Sequence, residues 1–368
     1  MQKTALVVGG TGPTGHFIVN GLLERGFLVA ILHTGNHEVA EIPPEVEHIH
    51  TDPYDKTKVE DALAERQFDL CVATYGRLRA IAEVMRGRVG KFISIGGQPA
   101  YRGYMNATLF SPEGLPVPTR EEAPLVQQPD EDEKGYRIVR TEKALFDLHP
   151  QATHFRYPYV YGPYQLVPRE WCIVKRILDR RPFIILPDGG LTLHSYGYAE
   201  NLAHALLLAV DQPDIAAGKI YNCGDEEVLT LRQVVEHISA AMSYTWDIVD
   251  MPWSWAVSAR PMIMQPSTCH RVVDISKLRN ELGYRDKVSP AEALARTARW
   301  LRDNPPQKGG MEEMVLQDPF DYHAEDQLLK AWQQAGALRP SNIFAEEPGV
   351  GLSYSGPGGR QRSNTEFE

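Results

Sequence analysis

The first apolar block, Ala5-Leu6-Val7-Val8, is continuous and runs into glycines, the pattern of a strand covered on both faces. His16 to Arg25 follows with Phe17, Ile18, Leu22 and Leu23 at helical spacing, and Phe27 to Leu32 predicts a second buried strand. Further strands are predicted at Val46–Ile49, at Asp69–Ala73 after a helix over Lys56–Arg66, at Lys91–Ile95, and at Thr153–Arg156 after a helix around Tyr136–Leu148. Parallel neighbours need crossover connections, so this alternation of strand and helix predicts an α/β fold with a doubly wound parallel sheet.

Two stretches break the rhythm. Between the fifth strand and Tyr136, residues 101–135 hold Pro112, Pro116, Pro118, Pro124, Pro129 and the acidic run Asp130-Glu131-Asp132-Glu133. Long structureless insertions of this kind are usually functional lids or disordered excursions, and this one is a candidate cover for a substrate. From Tyr157 the elements shorten: a helix near Glu170–Leu178, a strand at Phe183–Leu186, a helix over Ala199–Val210, a short segment Lys219–Asn222 and a helix over Leu231–Met242. Gly and Pro punctuate the joins. The chain is therefore expected to divide into a nucleotide-binding domain over 1–156, a smaller substrate lobe over 157–304 that returns in places to the first domain, and an extension over 305–368. Within that extension Leu328, Leu329 and Trp332 predict a helix docked on the main body. Residues 346–368, rich in Gly, Ser, Pro and charge, are expected to be flexible.

Composition narrows the function classes. With 43% hydrophobic and 23% charged residues over 368 positions, the chain can bury a large core. A formal charge of −10 disfavours broad nucleic-acid or anionic-membrane binding. The four cysteines, Cys71, Cys172, Cys223 and Cys269, form no CxxC, and no stretch approaches a membrane span. A reduced, cytoplasmic setting is expected.

The chemistry concentrates in Gly9-Gly10-Thr11-Gly12-Pro13-Thr14-Gly15, between a predicted strand and a predicted helix. Glycines there let the backbone turn tightly and approach a pyrophosphate, whose charge is met by free N–H groups at the helix start. Later landmarks are Asp52 and Asp55, Tyr136 four residues before Arg140, Phe155-Arg156-x-Pro158-x-Val160-Tyr161-Gly162-Pro163, Tyr221-Asn222-x-Gly224, and Asp274-x-Ser276-Lys277 with Leu282-Gly283-Tyr284. Together they resemble the extended, atypical short-chain dehydrogenases/reductases, the NAD-dependent epimerase/dehydratase family, over about residues 1–304.

The resemblance implies a Rossmann-type domain holding NADP or NAD through Gly9, Gly12, Pro13, Thr14 and Gly15. Asp52 is expected on the adenine side, or as a cap of the following helix. Ala73 and Thr74 are expected along the ribose and nicotinamide, with Tyr159 in the nicotinamide pocket. His33 and Thr34 stand where the family often has an acid for the adenosine ribose. The missing carboxylate favours NADP.

In the family a Tyr moves the proton that accompanies hydride transfer and a Lys four residues on lowers its pKa. The matching pair is Tyr136 and Arg140, with a guanidinium replacing the ammonium. The orienting Ser/Thr falls on Gly97, leaving Gln98 or the 101–135 segment as substitutes. Tyr161, His194 and Arg271 are candidate substrate contacts, Arg271 through a bidentate bond to phosphate or carboxylate.

No GxSxG elbow occurs, His48-x-His50 sits on a predicted strand, and the HxxxE-type spacings elsewhere lack a third partner, so neither hydrolase chemistry nor a metal is expected. The leading expectation is an NAD(P)-dependent enzyme acting on a small hydroxy or keto compound, a reductase or dehydrogenase in preference to a nucleotide-sugar epimerase or dehydratase. Most relatives of this kind are homodimers, and the same is expected here. The competing expectation is a nucleotide-binding regulator or scaffold that has lost its catalytic set.

Overall fold

A computed structural model describes residues 2–74, 76–263, 265–337 and 344–345. The expected flexible end, 346–368, lies outside the described residues.

Strands β1 (Thr4–Val8), β2 (Leu28–His33), β3 (Glu47–His50), β4 (Phe68–Ala73), β5 (Val89–Gly97) and β6 (Thr153–Tyr157) are joined by helices or loops. After them come β7 (Tyr159–Tyr161), β8 (Phe183–Pro187), β9 (Tyr196–Tyr198), β10 (Ile220–Asn222) and β11 (Asp247–Met251). Seven of these form one parallel sheet in the order β10-β6-β5-β4-β1-β2-β3. Its reversal point lies between β1 and β4, where the two crossover directions part and a crevice opens above the strand ends. The remaining strands make two small parallel pairs, β7 with β9 and β8 with β11.

The continuous apolar runs are explained by burial on both sides. Ala5 and Val7 pack with Ile18, Leu22 and Leu206 from helices α1 (Gly15–Glu24) and, further along, Ala199–Asp211. Leu6 and Val8 point the other way, onto Val59 and Leu63 of α2 (Lys56–Leu63), Ile81 of α3 (Leu78–Val84) and Leu145 of α4 (Glu133–Leu148). Period-two alternation within a uniformly apolar strand thus feeds two separate cores.

Helix starts obey local chemistry. The Asp55 carboxylate accepts from the Thr57 and Lys58 amides at the head of α2, so Asp55, not Asp52, is the cap. Asp52 accepts from the Tyr54 amide at 2.9 Å in the turn before it. Helix α2 stops at Leu63, three residues short of the expected end, because Ala64 takes φ 43°. The acidic run before Tyr136 has the same role: Asp132 caps α4 by accepting from the Lys134 and Gly135 amides.

The 101–135 insertion is tied down rather than loose. Tyr101 donates to Asn222 at 2.6 Å and accepts from Arg156 at 3.0 Å, and Asn222 donates to the Thr119 carbonyl at 3.0 Å. Arg156 also forms a buried fork with Glu142 of α4, at 2.9 and 2.7 Å. Burial alone would raise the Glu142 carboxyl, but the bonds from Arg156 and His154 overcome it and hold its pKa at about 2.

Residues 1–319 form one unit and residues from Phe320 another, in which the expected helix spans Tyr322–Ala337. Among the described residues no helix is long and apolar enough to cross a membrane.

Candidate active site

The crevice above β1 and β4 is a cleft of about 600 Å³. One wall is the turn from β1 into α1. Gly9 and Gly10 adopt φ of 108° and 96°, which only glycine takes without strain. A Cβ on Gly15 would stand 2.4 Å from the Gly10 carbonyl, so the helix start presses directly on the turn. Gly12 differs: a Cβ there meets no protein atom within 4 Å, so packing does not demand a glycine. It lines the cleft with Gly9, Pro13, Thr14 and Gly15, and α1 begins with no side-chain cap on its amides. An open glycine at an uncapped helix start suits an anionic diphosphate. The residues present therefore fit a dinucleotide.

Thr74, at the end of β4, lines the same cleft and is fixed by donating its hydroxyl to the Val8 carbonyl at 2.9 Å. Ala73 is buried just below it, with Asp52 outside the lining. His33 and Thr34, at the end of β2, close the far side. Tyr159 lines the opposite end, its hydroxyl donating to the Val167 carbonyl and its ring stacked on the buried Arg169, whose guanidinium lies 4.0 Å from Tyr159 and 3.9 Å from Tyr196. Beyond Gly97 the floor becomes apolar, with Met105, Ile138, Leu166 and Val167.

The proton-transfer pair lands elsewhere than expected. Tyr136 and Arg140 do sit together, the guanidinium 5.8 Å from the phenol ring, but neither lines the cleft. The α4 residues that do are Lys134 and Ile138. Two residues turn a helix by about 200°, so a shift of two positions exchanges one face for the other. Gly135 fixes which face is inner, since a Cβ there would lie 2.4 Å from the Pro99 carbonyl. The inner stripe, Ile138, Glu142 and Leu145, was the available signal: its one carboxylate is the partner of Arg156.

The candidate substrate contacts are largely engaged by the chain itself. Gln98 is buried and donates to the Cys223 carbonyl at 3.1 Å. Tyr161 donates to Asp225 at 2.9 Å. Arg271 gives its fork to the carbonyls of Tyr104, Ser267 and Cys269 and to the Ser267 hydroxyl, so it braces the 101–135 segment and is not a free anion clamp. His194 is buried against Tyr196, and burial together with Arg169 and Arg271 lowers its pKa to about 3, keeping the ring neutral. None of these four lines the cleft.

His48-x-His50, where no metal was expected, stands beside two further potential ligands. Strand β2 lies against β3 with His33 opposite His50, and the loop after β2 returns Glu38 to the same spot. Sequence distance concealed this cluster of His33, Glu38, His48 and His50.

No family model matches the chain. It is 27% identical over 183 residues to the "uncharacterized protein YbjS" of Escherichia coli strain K12, covering 44% of this chain and 53% of that one. It is 29% identical over 149 residues to a dTDP-glucose 4,6-dehydratase of Streptomyces antibioticus, covering 39% and 40%. The chain thus spans about half the length of the curated relatives it matches. Among solved structures, the UDP-glucose 4-epimerase of Bifidobacterium longum, in complex with NAD+ and UDP, superposes with a TM-score of 0.62 at 18% identity, covering 82% of this chain and 99% of that one. In fold the chain is similar to NAD-binding epimerase and dehydratase structures, and its sequence relatives include a dTDP-glucose 4,6-dehydratase.

Proposed function

We propose that the chain is a nicotinamide-dinucleotide-dependent enzyme of the epimerase/dehydratase type that oxidises or reduces a small hydroxy or keto compound. The observation that carries the reading is the glycine turn: open at Gly12, locked at Gly15, and continuous with a cleft that reaches Tyr159. In this reading Gly12 and the start of α1 hold the diphosphate, His33 and Thr34 the adenosine ribose, and Thr74, Gly97 and Tyr159 the nicotinamide end. When bound, the dinucleotide supplies or accepts the hydride.

The accompanying proton falls to Lys134, the ionisable α4 side chain that lines the cleft, rather than to Tyr136. Names among the relatives point to nucleotide sugars, but Arg271 is committed to backbone carbonyls and Arg260 lies over the Trp253 ring. The apolar floor around Met105 and Leu166 supports a less charged substrate and a reductase or dehydrogenase. NADP is preferred over NAD because position 33 carries an imidazole in place of an acid, and the enzyme is read as a homodimer.

A second reading, dinucleotide binding without turnover, is favoured by Arg140, which replaces the family's lysine and lies outside the cleft lining, and by Gly97 in the position of the orienting hydroxyl. One experiment separates the two. The cofactor-stripped chain is titrated calorimetrically with NADP(H) and NAD(H), then assayed against a panel of carbonyl and alcohol substrates as wild type, Lys134→Met and Tyr136→Phe. The enzyme reading expects micromolar binding, and turnover reduced about 10²-fold or more in Lys134→Met but retained in Tyr136→Phe. Loss in Tyr136→Phe alone returns the acid/base role to the tyrosine. Binding with no turnover on any substrate selects the second reading, and absence of binding rejects both.

A further inference from the structure

We propose that His33, Glu38, His48 and His50 form a binding site for one divalent transition metal of the zinc class, which staples the loop after β2 to the edge of the sheet. The donor set is three imidazoles and one carboxylate, ligands suited to Zn²⁺ and unsuited to Mg²⁺ or Ca²⁺, which favour all-oxygen sites.

The separations given for these atoms, with either Glu38 oxygen as the ligand, approach those of a tetrahedral site. With metal–ligand bonds of about 2.0–2.1 Å, ligand atoms at tetrahedral corners stand about 3.3 Å apart. His33 Nε2 and His48 Nδ1 are 3.1 Å apart, His48 Nδ1 and Glu38 Oε2 3.3 Å, His50 Nε2 and Glu38 Oε1 3.4 Å, and His33 Nε2 and Glu38 Oε1 3.7 Å. One ligand atom from each residue lies within 4.8 Å of every other. The backbone already meets the cost of assembly. His48 and His50 share one face of β3 because side chains repeat every second residue, and the parallel register sets His33 opposite His50. His33 is 4% exposed, so one ligand is rigidly held, while Glu38 at 49% supplies the movable arm that closes the site. Four protein ligands complete the coordination, which makes the site structural rather than catalytic.

Loading has a local signature. The Gly35 amide donates to His33 Nδ1 at 3.3 Å. Coordination through Nε2 places the imidazole proton on Nδ1, so that bond must open as the metal enters.

The test uses the untagged full chain after chelator treatment, with Zn²⁺ or Co²⁺ as the probe. One equivalent of Co²⁺ should bind and give the intense visible absorption of a tetrahedral centre, and one equivalent of Zn²⁺ should displace it. In an amide-resolved spectrum the Gly35 signal should shift on loading. His48→Ala/His50→Ala, on an exposed edge strand, should lose stoichiometric binding while keeping the metal-free circular dichroism and melting temperature of the parent. Glu38→Gln should weaken binding by roughly tenfold or more. No stoichiometric binding to the parent overturns the proposal, as does binding that survives the double substitution or a Co²⁺ spectrum of octahedral type. His33 is shared with the proposed ribose contact, but these readouts are made without a dinucleotide, so failure of the metal site is distinguishable from failure of the proposed activity.

Discussion

Glu142 is the residue on which the polar core turns. Its carboxylate takes the Arg156 fork while Arg156 also holds Tyr101, so one pair links α4, β6 and the 101–135 segment. Removing one partner of such a pair strands a buried charge, and Glu142→Gln is expected to cost about 3–5 kcal/mol in urea unfolding at pH 7. The acid limb follows from the shift. The folded pKa of about 2 lies below the ordinary 4.5, so the stabilisation is complete above about pH 4.5 and is lost as pH falls through about 2. Unfolding of the parent and Glu142→Gln at pH 7 and pH 3 should therefore show a smaller acid loss in the variant over that interval. At this scale the sequence was legible where the role is local. The glycines of the β1–α1 turn announce themselves because conformation alone demands them. Tyr136 lies outside the cleft lining because a helix face is set by its tertiary neighbours, here Pro99 against Gly135, and no spacing along the chain records that. The histidine cluster was out of reach because pairing His33 with His50 needs the register of β2 on β3.

Among the elements, the turn into α1 separates two duties that a glycine motif usually mixes. Gly15 is required by packing, since its Cβ would sit 2.4 Å from the Gly10 backbone, whereas Gly12 meets nothing. Gly15→Ala should lower the melting temperature and abolish dinucleotide binding together. Gly12→Asp should leave the melting temperature within a degree or two and abolish binding alone, through its charge and bulk beside the diphosphate. Scanning calorimetry paired with titration checks both, and a Gly12→Asp chain that still bound NADP(H) would place the diphosphate elsewhere. The long strands and helices were visible in the sequence because each carries its own periodicity, as in Ala5–Val8 or Leu231–Met242. The pairs β7–β9 and β8–β11 were not visible as sheets. Tyr159–Tyr161 and Tyr196–Tyr198 are three residues each, and what pairs them is separation in space that no local pattern encodes.

Across the whole molecule, the sheet is closed by its last arrival. Strand β10 pairs with β6 at the register Tyr221 on Phe155, and the two rings stack at 5.7 Å. From the same strand Asn222 bonds to Tyr101, Thr119 and the Asp274 carbonyl, and its amide donates to Glu121. A fragment ending at residue 157 exposes the β6 edge and leaves Tyr101 without that partner. It should migrate as aggregate on size exclusion and bind a hydrophobic dye, while residues 1–319 should migrate as a folded species. The same strand sets a clock on the ribosome. At about 5–20 residues per second, the N-terminal half waits several seconds after its own last strand has emerged before its edge can close. Through that interval the nascent chain carries an open β edge, so its exposure to chaperones is fixed by the order of its elements, independently of how stable the finished protein is.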